Sequence, residues 1–366
     1  MIIISKNWEN FILSRKKDLY VIRPIETKDA KSLLSLVIKS SGGLSSLQPR
    51  LNFLKDYIKA SEKSFSQKNY SDQPYKYLLG LYDGIGGKLI GCAAVKTKTG
   101  INTPFINFDI IGEGDNQHLK ASSRFKGSTE VGSLYLDPDY RSLGLGSYLA
   151  RVRYLLMATE PWRFDDCVIA ELRGICGING SPLYDHIFKD KLEKNFIEAD
   201  TEYFDRNPKS LGDIVPIGKL NTCDMPINVR ASLGQPNASG LAAMRLLQSE
   251  GFIFTGTVDL FDGGPIMSVH RDTIRTIMNS KLLKANRQDG IKGGTYGLVT
   301  SGTLKNFRAI ISKTKLIGDN LNISFEAFDF LSLKNNNTVR YWQTNEKNQF
   351  EFEQSNHISH KAFEHT

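Results

Sequence analysis

Along the chain, apolar positions switch between a two-residue and a 3.6-residue period, and each switch marks a strand or a helix. The sharpest switch lies in residues 130–156. Val131, Ser133, Tyr135 and Asp137 alternate with Gly132, Leu134 and Leu136, which predicts a two-faced strand. A turn is expected at Asp137-Pro138-Asp139. From Ser142 onward, Leu145, Tyr148, Leu149, Val152, Leu155 and Leu156 fall at helical spacing. Upstream, residues 20–24 read as a strand, and Thr27 is the expected cap of a helix carrying Leu33, Leu34, Leu36 and Val37. A second helix is expected over residues 51–64. Strands over 77–82 and 88–95 flank Asp83-Gly-Ile-Gly-Gly87, a strong hairpin signal. Residues 100–128 show little periodicity and read as an irregular excursion. Downstream, a strand is expected at 167–171 and a helix opening at Ser181-Pro182. A further helix over 241–249 stops at Gly251-Phe252, ahead of a strand over 253–262. Short strands, such as 307–312, follow from Asn286.

This order predicts an α+β fold with mixed sheets flanked by helices. The expected divisions are an N-terminal extension (1–19), a first domain (20–200), a second half completing the site (201–285), a small β-rich region (286–354) and a polar tail (355–366). The 366 residues suffice for two packed domains. Hydrophobic content of 40% and charged content of 23% are those of an ordinary globular protein. The formal net charge of +8 suits a polyanionic ligand. No basic cluster is interleaved with aromatics, so no nucleic-acid partner is expected. The run Met1-Ile-Ile-Ile-Ser5 is too short for a signal or a span, so no membrane partner is expected and the cytoplasm is the expected compartment. Cys92, Cys167, Cys176 and Cys223 lie far apart, which argues for buried thiols and against a metal site.

The loop Arg141-x-x-Gly144-x-Gly146 sits where the strand gives way to the helix. Unpaired N–H groups and the positive end of the helix dipole suit a pyrophosphate there, and the glycines let it approach the backbone. The segment resembles the pyrophosphate-binding motif of the GNAT acyl-CoA transferases. A plain glycine-bearing helix start is the ordinary alternative.

Several separated motifs resemble a narrower family, the arginine N-succinyltransferases. They are Val21-Ile-Arg-Pro-Ile-Glu26, Ser41-Gly-Gly-Leu-Ser-Ser-Leu47, Leu134-Tyr-Leu-Asp-Pro-Asp139, Ala170-Glu-Leu-Arg-Gly174 with Ser181-Pro182, Leu233-Gly-Gln235, Glu250-Gly-Phe252 and Asp259-Leu-Phe-Asp-Gly-Gly-Pro265. Together, and in this order, they are specific. The resemblance implies a GNAT-like, partly duplicated acyltransferase fold. It implies succinyl-CoA as co-substrate and the α-amine of arginine or ornithine as acceptor, without a covalent intermediate or a metal. It places the succinyl-CoA contact at Leu134, with Tyr135, Leu136, Arg141, Leu143, Gly144, Leu145, Gly146 and Ser147 on the cofactor side. It places the acceptor near Ser41, Gly42, Gly43, Ser45 and Arg173. The family's proton-donating histidine falls on Asn237, which together with Glu171 is the expected catalytic pair. An amide in place of the histidine leaves two alternatives: a weakly active or non-catalytic subunit of a two-chain succinyltransferase, or an acyltransferase for another amine. Related chains work as two-subunit enzymes, so a homo-oligomer or a heteromer with a related chain stays open.

Each of these residues also has an ordinary reading. Leu134 fits a core strand, and Ser41–Ser45 fit a simple turn. Glu171 and Arg173 suit an arginine acceptor through bidentate pairs, or one another as a structural bridge. Tyr184 occupies a helix start where some GNAT enzymes keep an acid, but packing is the favoured reading. His186 and His270 read as surface or capping residues.

Overall fold

Strand β1 (Leu19–Pro24) opens the part of the chain that the computed structural model describes, which is residues 19–343 except 41, 42, 45, 69, 70, 142, 178, 179, 206–213, 289 and 335. The expected tail, most of the extension, and Ser41, Gly42, Ser45 and Ser142 lie outside the described residues. A 3-10 turn leads into helix α1 (Ala30–Lys39), followed by α2 (Leu51–Ser66). Thr27 is not the cap. Glu26 and Asp29 form a reciprocal capping box, and Thr27 reaches across to Glu62 on α2 through its N–H (2.8 Å) and hydroxyl (2.9 Å). Strands β2 (Lys76–Tyr82) and β3 (Leu89–Lys96) form the expected hairpin.

The expected irregular excursion is a second hairpin, β4 (Asn107–Ile111) and β5 (His118–Ser122). Phe108 and Leu119 are wholly buried, but each strand is five residues long, too short for a period to show. The central run then gives β6 (Thr129–Leu136), a turn and α3 (Leu145–Thr159), and β7 (Cys167–Glu171) follows. Next come α4 (Pro182–Ile187), α5 (Lys189–Leu192), α6 (Phe196–Asp205), β8 (Lys219–Asn221), α7 (Ile227–Ser232) and α8 (Leu241–Ser249). Strands β9 (Ile253–Asp259) and β10 (Pro265–His270) precede α9 (Arg275–Asn279). The last part holds β11 (Lys281–Arg287), β12 (Thr295–Ser301), β13 (Arg308–Ile317), β14 (Asn320–Ile323), α10 (Phe325–Phe330) and β15 (Thr338–Trp342).

All of these strands join one sheet, in the order β12-β15-β11-β14-β13-β1-β2-β3-β6-β7-β10-β9-β4-β5-β8. Because β12 also pairs with β13, the five C-terminal strands close into a ring. One face of the central sheet packs on α3 through Leu145, Leu149, Val152 and Leu156, and the other packs on α1 and α2 through Leu33, Leu54 and Ile58. A third cluster, around Phe108, Tyr184, Phe188 and Phe261, sits under α4 and α7. Among the cysteines Cys92 is buried, whereas Cys167 and Cys176 are half-buried and Cys223 is exposed, so the expectation of buried thiols holds for Cys92 alone. No helix of the described residues is long and apolar enough to cross a membrane.

Candidate active site

Two neighbouring strands part company in the middle of the sheet. Strands β6 and β7 run parallel and pair only at Thr129–Val168 and Glu130–Ile169. Beyond that point β6 continues along β3 as far as Leu136, and β7 continues along β10 as far as Glu171. The two strand ends therefore diverge, and their facing backbone groups are left without a ladder partner.

The alternation of β6 also breaks at this level. The register against β3 jumps from Ala94–Gly132 to Cys92–Tyr135, so Ser133 and Leu134 both face Ala93. This is a β-bulge, with Ser133 in the left-handed region at φ 48°. A bulge re-aims the backbone locally, and the Ser133 carbonyl here accepts from Cys92 Sγ at 3.4 Å. Leu134, Leu136 and Leu143 are half-buried against the α3 side of the core, while Tyr135 faces the opposite core. At the far end of β6, Gly144 is the residue before α3, at φ 73°. A Cβ at Gly146 would meet the Leu136 side chain at 3.8 Å, an ordinary van der Waals contact. The exposed Arg141 guanidinium stacks 5.8 Å from the Tyr135 ring, Leu145 is buried, and Ser147 accepts a hydrogen bond from Arg151. The nine residues expected on the cofactor side thus lie along one continuous path from bulge to helix.

That path is pinned to α1. The Lys39 ammonium donates to Asp137 (2.5 Å) and Asp139 (3.1 Å), while Tyr135 Oη donates to the Lys39 carbonyl (3.1 Å). These hydrogen bonds to the Asp137 and Asp139 carboxylates raise the Lys39 pKa. Burial pushes the Asp137 carboxyl up, but Lys39, the Asp139 N–H and Lys88 together outweigh it and the net shift is down. Ser46 and Ser133 share a 2.7 Å bond between hydroxyls. Of the expected acceptor-loop residues, Gly43 is exposed and its N–H donates to Ser40 (3.0 Å).

Across the opening, the end of β7 is crowded with carboxylates. Glu171 is half-buried, with Asn107 Nδ2 at 3.5 Å. Burial first, then the charges of Asp259 and Glu130, raise its pKa well above the usual carboxylate range, against a smaller opposing pull from Lys96. Lys96 is itself bound to Glu130 at 2.8 Å. Asp259 accepts from the N–H groups of Phe261 and Asp262, and Asp262 accepts from that of Gly264, each at 2.8 Å, so this glycine-bearing turn is built around its own carboxylates. Asp262 is also shifted up, by burial and then by Asp259, with Arg173 opposing.

Glu171 and Arg173 do not form a bridge with one another. The Arg173 guanidinium is held by Asp200 on α6 and by Asp262 at 3.3 Å. The Asn237 N–H donates to the Arg173 carbonyl (2.9 Å), and Pro236 bridges Gly174, so the second half of the chain extends the end of β7. The side chain of Asn237 is a helix cap, its Oδ1 accepting from Gly240 N–H (2.8 Å) and Ser239 Oγ (2.9 Å). Tyr184 is buried and donates to the Lys194 carbonyl (3.0 Å), which fits its packing role. Exposed His186 and the His270 cap of a 3-10 turn are as expected. An exposed group of Asp166, His270 and Asp272 has ligand atoms within 4.8 Å of one another, but the Arg271 guanidinium already pairs with both carboxylates.

Sequence reading missed Lys96, Asn107, Glu130, Asp200, Asp259 and Asp262 as members of this cluster. Asp259 and Asp262 lie in a motif of unusual composition, which was a usable signal. The others come from four separate elements and had none. Residues 20–276 match the family described as arginine N-succinyltransferase beta subunit. An arginine N-succinyltransferase of Escherichia coli strain 55989 is 28% identical over 338 residues, covering 88% of this chain and 97% of that protein. One from Shigella flexneri gives the same figures. The solved arginine/ornithine succinyltransferase subunit AI from Pseudomonas aeruginosa superposes with a TM-score of 0.79 at 26% identity, covering 89% of this chain and 99% of that one. With its α+β, GNAT-like fold, this chain belongs to the arginine N-succinyltransferase family of acyltransferases.

Proposed function

We propose that this acyltransferase moves a succinyl group from succinyl-CoA to the α-amine of arginine or ornithine by direct attack in a ternary complex. The observation that carries the reading is the opening between β6 and β7, with a backbone bulge and a helix N-terminus on one side and buried carboxylates on the other. The first-turn N–H groups of α3 suit the pyrophosphate of coenzyme A. The re-aimed peptide groups near Leu134 supply donors to the thioester oxygen as it gains charge. Glu171, with Glu130 nearby, supplies the negative field that a guanidinium or ammonium side chain requires. The neutral amine attacks the carbonyl carbon, forming the C–N bond. The C–S bond then breaks, the thiolate leaves with its electron pair, and the amine proton passes to solvent or a basic group. A thiol pKa of about 8.5 makes that thiolate a fair leaving group.

The test is incubation with succinyl-CoA and a panel of amino acids, reading thiol release. Arginine or ornithine should give the fastest release. Glu171→Gln should raise KM for that acceptor roughly tenfold or more while KM for succinyl-CoA stays within about twofold. Equal effects on both constants would remove Glu171 from the acceptor side. A second reading, a weakly active subunit of a two-chain enzyme, is favoured by Asn237 at the family's histidine position. Binding of succinyl-CoA without thiol release would support that reading instead.

A further inference from the structure

A cavity of about 460 Å³ opens at one end of the closed ring of β11–β15, built from none of the residues of the active site. Its floor is Leu331 and the buried Ser301, whose hydroxyl donates to the Leu331 carbonyl (2.9 Å). Its wall is formed by the end of β12, the start of β13, the segment after α10 and the start of β15. The mouth of a small closed sheet is a recurrent ligand position, and the volume falls in the range that holds a metabolite.

The chemistry of the lining is one-sided. Asn306, Arg308, Ser332, Asn337 and Thr338 line it, and no carboxylate does. Nη1 of Arg308 donates to the Phe330 carbonyl (2.7 Å) and to Ser332 Oγ (3.0 Å), which fixes the guanidinium in place. Its Nε and Nη2 have no acceptor among the described residues, and the group pairs with no carboxylate there. A second cation, the Lys284 ammonium, lies behind the lining, donating to Thr338 Oγ1 (3.2 Å), and likewise has no carboxylate partner among the described residues. A guanidinium positioned by backbone and hydroxyl, with unused donors over a polar cavity, is suited to an oxyanion.

We propose that this cavity is a second ligand site, for a small metabolite bearing a carboxylate or a phosphate, with Arg308 as its main anchor and Lys284 acting through its contact with Thr338. The site is independent of the acyl-transfer reading, since it shares no residue with the opening between β6 and β7.

The experiment is calorimetric titration of the full chain, saturated with coenzyme A so that the α3 loop is occupied, using succinate in one arm and inorganic phosphate in the other. Binding of either supports the site and identifies which oxyanion it takes, provided that Arg308→Gln weakens it roughly tenfold or more and leaves coenzyme A affinity unchanged. Should Arg308→Gln fail to fold, Lys284→Met and Thr338→Val carry the same test, each weakening the binding. No binding in either arm, or affinity unchanged in the variants, overturns the proposal.

Discussion

Glu171 has Glu130, Asp259 and Asp262 for neighbours and Lys96 as the opposing charge, and burial makes each repulsion felt more strongly. A carboxyl whose pKa is raised by folding contributes stability that is present below its unfolded value, about 4.3, and is lost as pH rises through the folded value. Glu171→Gln stays neutral throughout. It should therefore melt higher than the natural protein at pH 8, and the difference should close as pH falls toward about 4.3. A difference independent of pH would show that charge is not its cause. The same logic bears on binding. If a cationic acceptor finds Glu171 protonated and leaves it ionised, arginine binding releases a proton, and calorimetry in buffers of different ionisation heat reads that release. Asn237 poses a different question, because its side chain is engaged as a cap. His270 caps a turn elsewhere in this chain through Nδ1, accepting from Asp272 N–H at 3.3 Å, so a histidine at 237 can keep the cap and still present a titrating nitrogen. General acid–base help is typically worth about 10²–10⁴ in rate. Asn237→His should therefore raise kcat at least roughly tenfold and flatten the rise of rate with pH that deprotonation of the acceptor amine would impose on the natural protein. An unchanged kcat and profile would mean that another residue moves the proton.

At the scale of elements, the path from β6 to α3 is where sequence and structure agree most closely. The strand, the turn at Asp137-Pro138-Asp139 and the helix each carry their signal in adjacent residues, so local periodicity suffices. Gly146 offers the cleanest test of what the path binds. Its φ is not in the left-handed region and a Cβ there would make only an ordinary contact with Leu136 at 3.8 Å, so Gly146→Val adds bulk without backbone strain. The variant should fold as the natural protein does and lose coenzyme A binding; an unchanged affinity by titration would remove the loop from the cofactor site. What the sequence concealed is non-local. The bulge at Ser133 interrupts a run that looks perfectly alternating, and only the register against β3 exposes it. Hairpin β4–β5 is specified by pairing with β8 and β9, about a hundred residues or more downstream, and no short period marks it. Lys96, Glu130 and Asp200 look like ordinary charges at the ends of strands or on a helix, until the fold brings them beside Glu171 and Arg173.

For the whole molecule, the decisive feature is how the two halves interleave. Hairpin β9–β10 belongs to the second half, yet it lies between β7 and β4, both from the first. Strand β10 pairs with every residue of β7, and Ile266 and Met267 are fully buried there. Arg151 on α3 forms a 2.7 Å pair with Glu250 after α8, which is 1% exposed, and Trp342 of β15 covers the same guanidinium at 4.6 Å. The helix that begins after the 141–144 loop is thus fastened to segments from all three parts of the chain. A first half alone would expose the whole edge of β7, the apolar faces of Val168 and Ala170, and an unpaired Arg151. Residues 1–205 expressed without the rest should therefore be insoluble or fail to melt cooperatively. Co-expressed with residues 214–366, they should form a soluble complex that binds coenzyme A. The intact chain should unfold in a single transition that coenzyme A moves upward as a whole, because binding acts on the one folded unit. If residues 1–205 alone gave a cooperative melt and bound coenzyme A, the second half would be an appendage rather than a part of the same sheet, and the acceptor side of the site would have to be sought within the first half.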